Sequence, residues 1–163
     1  LGVASKWDHR KGLYDFIELC KSLDNSYAII LIGLSRQQIN SLPKNIIGIA
    51  RTENIMELVS FYNAADVYLN ASIEETFGLT TIEAMACGTP AIVYNTTACP
   101  EVISADTGFI VEKKNLSGII KAIETVKEKG KGYYSSACVQ RVRKLYNKTD
   151  RYSDYLKLYN SLI

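Results

Sequence analysis

Two carboxylates and two cations are the residues here whose types and spacing could do chemistry. Glu75 and Glu83 stand eight residues apart, with Phe77-Gly78-Leu79 between them, inside the stretch Ser72–Pro90. A helix starting near Leu79 would put Leu79, Ile82 and Ala86 on one apolar face, with Glu83 on or beside it. A carboxylate there is expensive to bury unless it is paired or hydrogen-bonded. Gly78 lets the backbone come close to a ligand at the helix N-terminus, where free N–H groups favour anions. Two acceptors and an anion site within one turn suit a sugar and a phosphate together. The same pair would also serve as the acid and base of a glycosidase, or as a loop acid and a helix-surface acid with no shared role.

The cations are Arg10 and Lys11, followed by Gly12 at a helix start. They read as a diphosphate cradle, in which N–H groups and side-chain charge act together, or as a solvated basic loop. His9 lies beside them, but nothing in the sequence supplies a partner to orient it as a base. Arg51-Thr52-Glu53-Asn54 could flank a nucleobase, although a helix cap is the better reading. Thr96 and Thr97 could offer hydroxyls to a sugar or form a plain loop. The tyrosines of the C-terminal third read as packing. No G-x-x-x-x-G-K-[ST], G-x-G-x-x-G or G-x-S-x-G occurs, which argues against P-loop NTPases, ordinary dinucleotide dehydrogenases and α/β-hydrolases.

The elements that must position these residues alternate along the chain. Strands are expected at Leu1–Ser5, Tyr27–Ile32, Ile46–Ala50, Asp66–Asn70, Pro90–Tyr94 and Gly108–Val111. Helices are expected over Gly12–Leu23, over Arg36–Ser41 behind a Ser35 cap, from Asn54 or Thr52 to Ala65, from Leu79, and from Pro100-Glu101. A further amphipathic helix covers Asn115–Lys129, ended by Gly130 and Gly132. Tyr133–Ile163 is helical in pattern, with a break expected at Asp150. Such alternation predicts an α/β domain with a six-stranded parallel sheet and right-handed crossovers. Ligands of such sheets sit at the carboxyl ends of the strands. The loops there carry the polar residues named above, so one cleft could collect them.

With 163 residues, 47% of them hydrophobic and 22% charged, the chain reads as one soluble globular domain. A net charge of +2 makes no demand for nucleic acid or a membrane. The four cysteines match no zinc spacing and read as reduced thiols of a cytosolic protein. No run is long enough to span a bilayer, and no signal peptide is visible. Leu1-Gly2-Val3-Ala4 reads as a strand without preamble, so the chain is expected to be cut at a domain boundary, with half of the function before Leu1.

The run E-E-T-F-G-L-T-T-I-E-A-M-A-C-G-T-P-A-I-V resembles the signature of glycosyltransferase family 4, the retaining GT-B enzymes, in which two glutamates frame seven residues. The R-K-G after the first strand, Ala64-Ala65-Asp66-Val67, and P-E-V-I followed by D-T-G-F-I-V resemble further segments of that family. The resemblance covers essentially the whole chain. It implies a Rossmann-like three-layer sandwich forming the C-terminal half of a GT-B fold. Residues 1–163 would be the nucleotide-sugar donor-binding domain, and the N-terminal acceptor-binding domain would be absent. Lys11, helped by Arg10, would hold the donor diphosphate together with backbone N–H groups of Gly78, Leu79 and Thr80. Glu83 would accept hydrogen bonds from the ribose, and Glu75 would contact the transferred sugar as the catalytic residue. The nucleobase would lie near Gly33, Arg51 and Thr52. The resemblance implies no metal and no cofactor beyond a UDP- or GDP-sugar substrate. It implies a cytoplasmic enzyme, compatible with peripheral association at the inner face of a membrane. In two places the chain departs from the family pattern. The second phosphate-binding Arg after the first-strand Gly is missing, which leaves Lys6 or Arg10 to replace it. The usual Gly-Gly before P-E is replaced by Thr97-Ala98. Two other readings stay open: a non-transferase GT-B relative such as a sugar-nucleotide epimerase, and a doubly wound binding or signalling module.

Overall fold

The structure is a computed structural model that describes residues 1–162, so the end of the expected Tyr133–Ile163 helix lies outside the described residues. Six short strands form: β1 (Gly2–Val3), β2 (Ile29–Ile32), β3 (Ile46–Ile49), β4 (Tyr68–Asn70), β5 (Ala91–Tyr94) and β6 (Gly108–Val111). All pairings between them are parallel. The ladders fall into two groups of three, β3-β2-β1 and β4-β5-β6. The groups meet at β1 and β4, where Leu69 N–H donates to Leu1 O at 2.9 Å. The Leu1 amino group donates to Val67 O at 3.0 Å on the same seam, which is short because β1 is two residues long.

Eight α-helices link and cover the strands. They are α1 (Leu13–Ser22), α2 (Arg36–Ser41), α3 (Ile55–Ala64), α4 (Leu79–Ala86), α5 (Cys99–Val102), α6 (Leu116–Lys129), α7 (Lys131–Tyr146) and α8 (Lys148–Ser161). Side chains alternate across the sheet, as strand geometry requires. Leu69, Ile92 and Tyr94 join a core with Phe16 and Leu19 of α1 and Ile119 and Ile123 of α6. Tyr68, Ala91 and Val93 join a second core with Tyr62 of α3, Met85 of α4 and Tyr134 of α7. Every residue of β5 is buried, which fits its unbroken apolar run.

The local start signals are of the expected kinds. Ser35 and Gln38 form a reciprocal capping box on α2. Asn54 caps α3 by accepting from Glu57 N–H at 3.0 Å. Two expectations for the C-terminal third fail. Gly132 lies inside α7, so Gly130 alone ends α6. The last break falls at Asn147 rather than Asp150, because the Asn147 side chain accepts from the N–H groups of Thr149 and Asp150 and so caps α8. The packing role expected of the C-terminal tyrosines holds for buried Tyr134, whereas Tyr133, Tyr152, Tyr155 and Tyr159 are exposed.

The loops after β1 and β4 are held against each other at the carboxyl ends of their strands. Ile73 N–H donates to Arg10 O at 2.8 Å. Gly12 sits at φ 73°, and a Cβ there would overlap the carbonyl oxygen of Ala71 and lie 2.6 Å from the Ala71 Cβ. Left-handed backbone and close approach together leave room for glycine only. Gly12→Ala is therefore expected to lower stability by about 2–3 kcal/mol, read by urea denaturation. A loss below about 0.5 kcal/mol would show that the two loops can separate freely.

Candidate functional site

The sequence of α4 dictates which of its sides enters the core. Thr81, Ile82, Ala84 and Met85 are buried, whereas Leu79, Glu83 and Ala86 are exposed. The expectation that Leu79 and Ala86 share a buried face with Ile82 is thus overturned. The small and polar run Thr80-Thr81 lets α4 turn its threonine side inward, because buried hydroxyls find partners there. Asn70 Nδ2 donates to Thr81 Oγ1 at 3.0 Å. Tyr68 Oη donates to Thr80 Oγ1 at 2.7 Å and also reaches Val3 O at 3.2 Å. Leu79, 63% exposed, and Glu83 therefore occupy the outward side of the helix.

Gly78 is the N-cap of α4 at φ 81°, and no side chain caps the helix. The first-turn N–H groups of Leu79 and Thr80 take no side-chain partner among the described residues. Helix geometry leaves such groups unsatisfied and gives them partial positive charge. This end is built to meet an anion.

Lys11 and Glu75 meet beside it. Lys11 Nζ lies 2.8 Å from Glu75 Oε2. Burial pushes the Glu75 carboxyl up, but the Lys11 ammonium and the N–H groups of Thr76 and Gly78 outweigh it and hold the carboxyl below its ordinary value. The Glu75 backbone is tied in turn to the loop after β5, since its N–H donates to Thr97 Oγ1 at 2.9 Å. Thr97 adopts φ 41°, a conformation that favours glycine. The resemblance implied Gly-Gly at this position, and here a threonine adopts the left-handed conformation while its hydroxyl anchors Glu75. Thr96 Oγ1 donates to Ser72 O at 2.8 Å. Both threonine hydroxyls therefore brace the loop from within.

Arg10 is turned onto Asp8, with Nη2 at 2.9 Å from Oδ2. It shares the loop with Lys11 without touching Glu75. Trp7 is buried, donates from Nε1 to Ile32 O at 2.9 Å and stacks edge-on against Phe16, so it packs beneath the basic loop. His9 is exposed. Gly33 ends β2, where its N–H donates to Ile49 O at 2.9 Å. Arg51 and Thr52 follow β3, at the same end of the sheet as Lys11 and Glu75 but farther along it.

Glu83 carries a partner that sequence reasoning missed. Tyr62 Oη donates to Glu83 Oε2 at 2.9 Å. The available signal was chemical: a tyrosine on the inner face of α3 must place its hydroxyl somewhere, and so must a carboxylate beside a core. Which two would meet depends on how α3 and α4 cross.

A cavity of about 430 Å³ opens at the opposite end of the sheet, beside Ala28, Ile29 and Val67, and no candidate residue lines it. Among the described residues no group of His, Cys, Asp or Glu side chains is placed to hold a metal ion. All four cysteines are free. No described helix is long and apolar enough to cross a membrane.

The Lys11–Glu75 pair generates a pH signature. Its folded-state carboxyl titrates below the ordinary value near 4.5, so the stabilisation is complete above that value and is lost as pH falls through the folded one. The pair is part exposed and screened, so Lys11→Met is expected to cost on the order of 1 kcal/mol at pH 7. Denaturation curves of both proteins from pH 7 to pH 3 should show this difference holding steady down to about pH 5 and shrinking below it. A difference that widens on acidification would refute the pairing.

The geometry can be set beside known proteins. A sequence profile described as "Glycosyl transferases group 1" matches residues 2–145. The GDP-mannose-dependent alpha-(1-6)-phosphatidylinositol dimannoside mannosyltransferase of Mycobacterium tuberculosis is 43% identical over 63 residues, which are 39% of this chain and 16% of that protein. The chain spans less than half the length of the curated relatives it matches. Among solved structures, Anabaena HepE in complex with UDP superposes with a TM-score of 0.83 at 18% identity, over 98% of this chain and 48% of that one. The C-terminal domain of LpcC, a glycosyl transferase group 1 family protein of Francisella tularensis, gives a TM-score of 0.72 at 27% identity, over 90% of this chain and 85% of that one. The architecture is thus the α/β Rossmann-like arrangement of GT-B proteins, with six parallel strands. With the profile spanning nearly its whole length, the chain belongs to the glycosyl transferases group 1 family.

Proposed function

We propose that the chain is the donor-binding domain, and the C-terminal half, of a retaining family 4 glycosyltransferase that moves a hexose from a UDP- or GDP-sugar to a polysaccharide or glycolipid acceptor. The observation that carries this reading is the meeting of Lys11, Glu75 and the uncapped start of α4, with Glu83 one turn further along the same helix. The lengths of the relatives support the division, as does the isolated C-terminal domain of LpcC, a chain of similar size.

Each residue has a task in this scheme. The donor diphosphate takes the place of Glu75 as partner of Lys11 and lies against the N–H groups of Gly78, Leu79 and Thr80. Arg10 adds charge from the same loop. Glu75, released from Lys11 but still held by Thr97, faces the transferred sugar near its reacting carbon. Glu83 accepts from the ribose hydroxyls. The base lies by Gly33, Arg51 and Thr52. Charge that develops on the departing diphosphate is met by Lys11 and the helix end, which are in place before reaction. The acceptor belongs to the N-terminal domain outside residues 1–163. The isolated domain therefore binds donor and transfers nothing.

The names of similar proteins include both donor types, GDP-mannose for the mycobacterial enzyme and UDP or UDP-glucose for HepE. We place the full-length enzyme in the cytoplasm, associated peripherally with the inner face of a membrane if its acceptor is a lipid.

Calorimetric titration of UDP, GDP, ADP and their sugars tests the site. One base is expected to bind best, and Glu83→Ala to weaken that binding by about 1–3 kcal/mol. Absence of binding by all of them at millimolar concentration would sink the donor-site reading, and sugar transfer by the isolated chain would sink the division of labour.

A further inference from the structure

Glu83 lies on the exposed side of α4, where a glutamate with three rotatable bonds would ordinarily sample several positions. Here one oxygen is held. Tyr62 reaches it from α3 with a hydrogen bond of 2.9 Å to Oε2, while Oε1 has no partner among the described residues. The phenol is itself immobile. Tyr62 is 1% exposed, and its ring stands edge-on to Tyr68 with centroids 6.0 Å apart. Its backbone carbonyl accepts from Thr89 Oγ1 at 2.6 Å and from Lys131 Nζ at 3.3 Å. Burial first, and then the neighbouring Tyr68 and Glu83, push its hydroxyl far above the ordinary phenol range. An upward shift favours the protonated, donating form of the hydroxyl.

Tyr68 acts in the same way one turn earlier, since its hydroxyl donates to Thr80 Oγ1 at 2.7 Å. Two buried phenols, one from α3 and one from β4, thus grip α4 at Thr80 and Glu83. Tyr68 sets where the helix start sits, and Tyr62 sets which way the Glu83 carboxylate faces.

We propose that Tyr62 is a positioning residue for ribose recognition: it fixes one oxygen of Glu83 so that the other is presented, already oriented, to the hydroxyls of a ribonucleoside diphosphate. The proposal rests on the reading of Glu83 as the ribose acceptor. A held carboxylate loses less freedom on binding than a mobile one, so the gain is in preorganisation and adds no contact to the ligand. It also predicts discrimination. A site built to receive hydroxyls rejects a ligand lacking them, because its acceptor is then left unpaired.

The test compares Tyr62→Phe, Glu83→Gln and the double variant in the chain. Each is titrated with the nucleoside diphosphate of the preferred base and with its 2′,3′-dideoxy analogue. Tyr62→Phe keeps the ring and its packing against Tyr68, and thermal melting checks that the variant is folded at the titration temperature. The expected result is a loss of about three- to tenfold in affinity for the ribonucleotide, the range of one hydrogen bond. Affinity for the dideoxy analogue should change by less than about twofold. In the double variant, the loss should be smaller than the product of the two single losses. An equal loss on both ligands would assign Tyr62 a structural role only and overturn the proposal. So would no loss on either while Glu83→Gln still lowers ribonucleotide affinity. If Glu83→Gln leaves the ribonucleotide preference intact, the reading of Glu83 itself fails, and the role of Tyr62 falls with it.

Discussion

The whole site depends on how closely the loop after β1 approaches the loop after β4. Those strands are distant in sequence but adjacent across the seam between the two strand groups. Gly12 permits the approach, because any side chain there would meet the Ala71 carbonyl. The backbone bond from Ile73 N–H to Arg10 O fixes it. Only then can Lys11 reach Glu75, across a separation of 64 residues in the chain. The strand-end geometry of parallel α/β sheets supplies the location, and one glycine supplies the distance.

The Lys11–Glu75 pair then acts as a placeholder. A lysine and a glutamate at 2.8 Å satisfy each other when nothing else is bound. Both lie beside a helix end that no side chain caps. A diphosphate carries more negative charge than a single carboxylate, so in the proposed scheme it would draw Lys11 away from Glu75.

Helix α4 joins the two halves of the site. Its N-terminus is uncapped, and its outward side carries Glu83 one turn later. Its inward side adds polar groups to the apolar Ile82, Ala84 and Met85, with Thr80 and Thr81 matched by Tyr68 and Asn70. A helix held by directed hydrogen bonds has its rotation specified more narrowly than one held by apolar contact alone, since hydrogen bonds weaken steeply with angle. That property suits an element whose two functional ends must stay in register.

Much of this was legible in the amino-acid order. The apolar runs of β2 and β5, the Ser35 and Asn54 caps and the breaks at glycine are local features, so local chemistry sufficed to place them. The glutamates framing Gly78, and the cations before Gly12, were visible as types and spacings. The tertiary structure alone decided which side of α4 faces inward, because Thr81 can be buried and Thr80 half-buried only where Asn70 and Tyr68 wait for them. It also decided that Lys11 finds Glu75 while Arg10 turns to Asp8, and that Tyr62 holds Glu83. The Lys11–Glu75 and Tyr62–Glu83 partnerships join segments whose neighbourhood is set by strand order and helix crossing, quantities that no local pattern encodes. The end of α7 is a local case that the sequence pattern misplaced: the Asn147 side chain accepts from the N–H groups of Thr149 and Asp150, so the break falls three residues before the expected one.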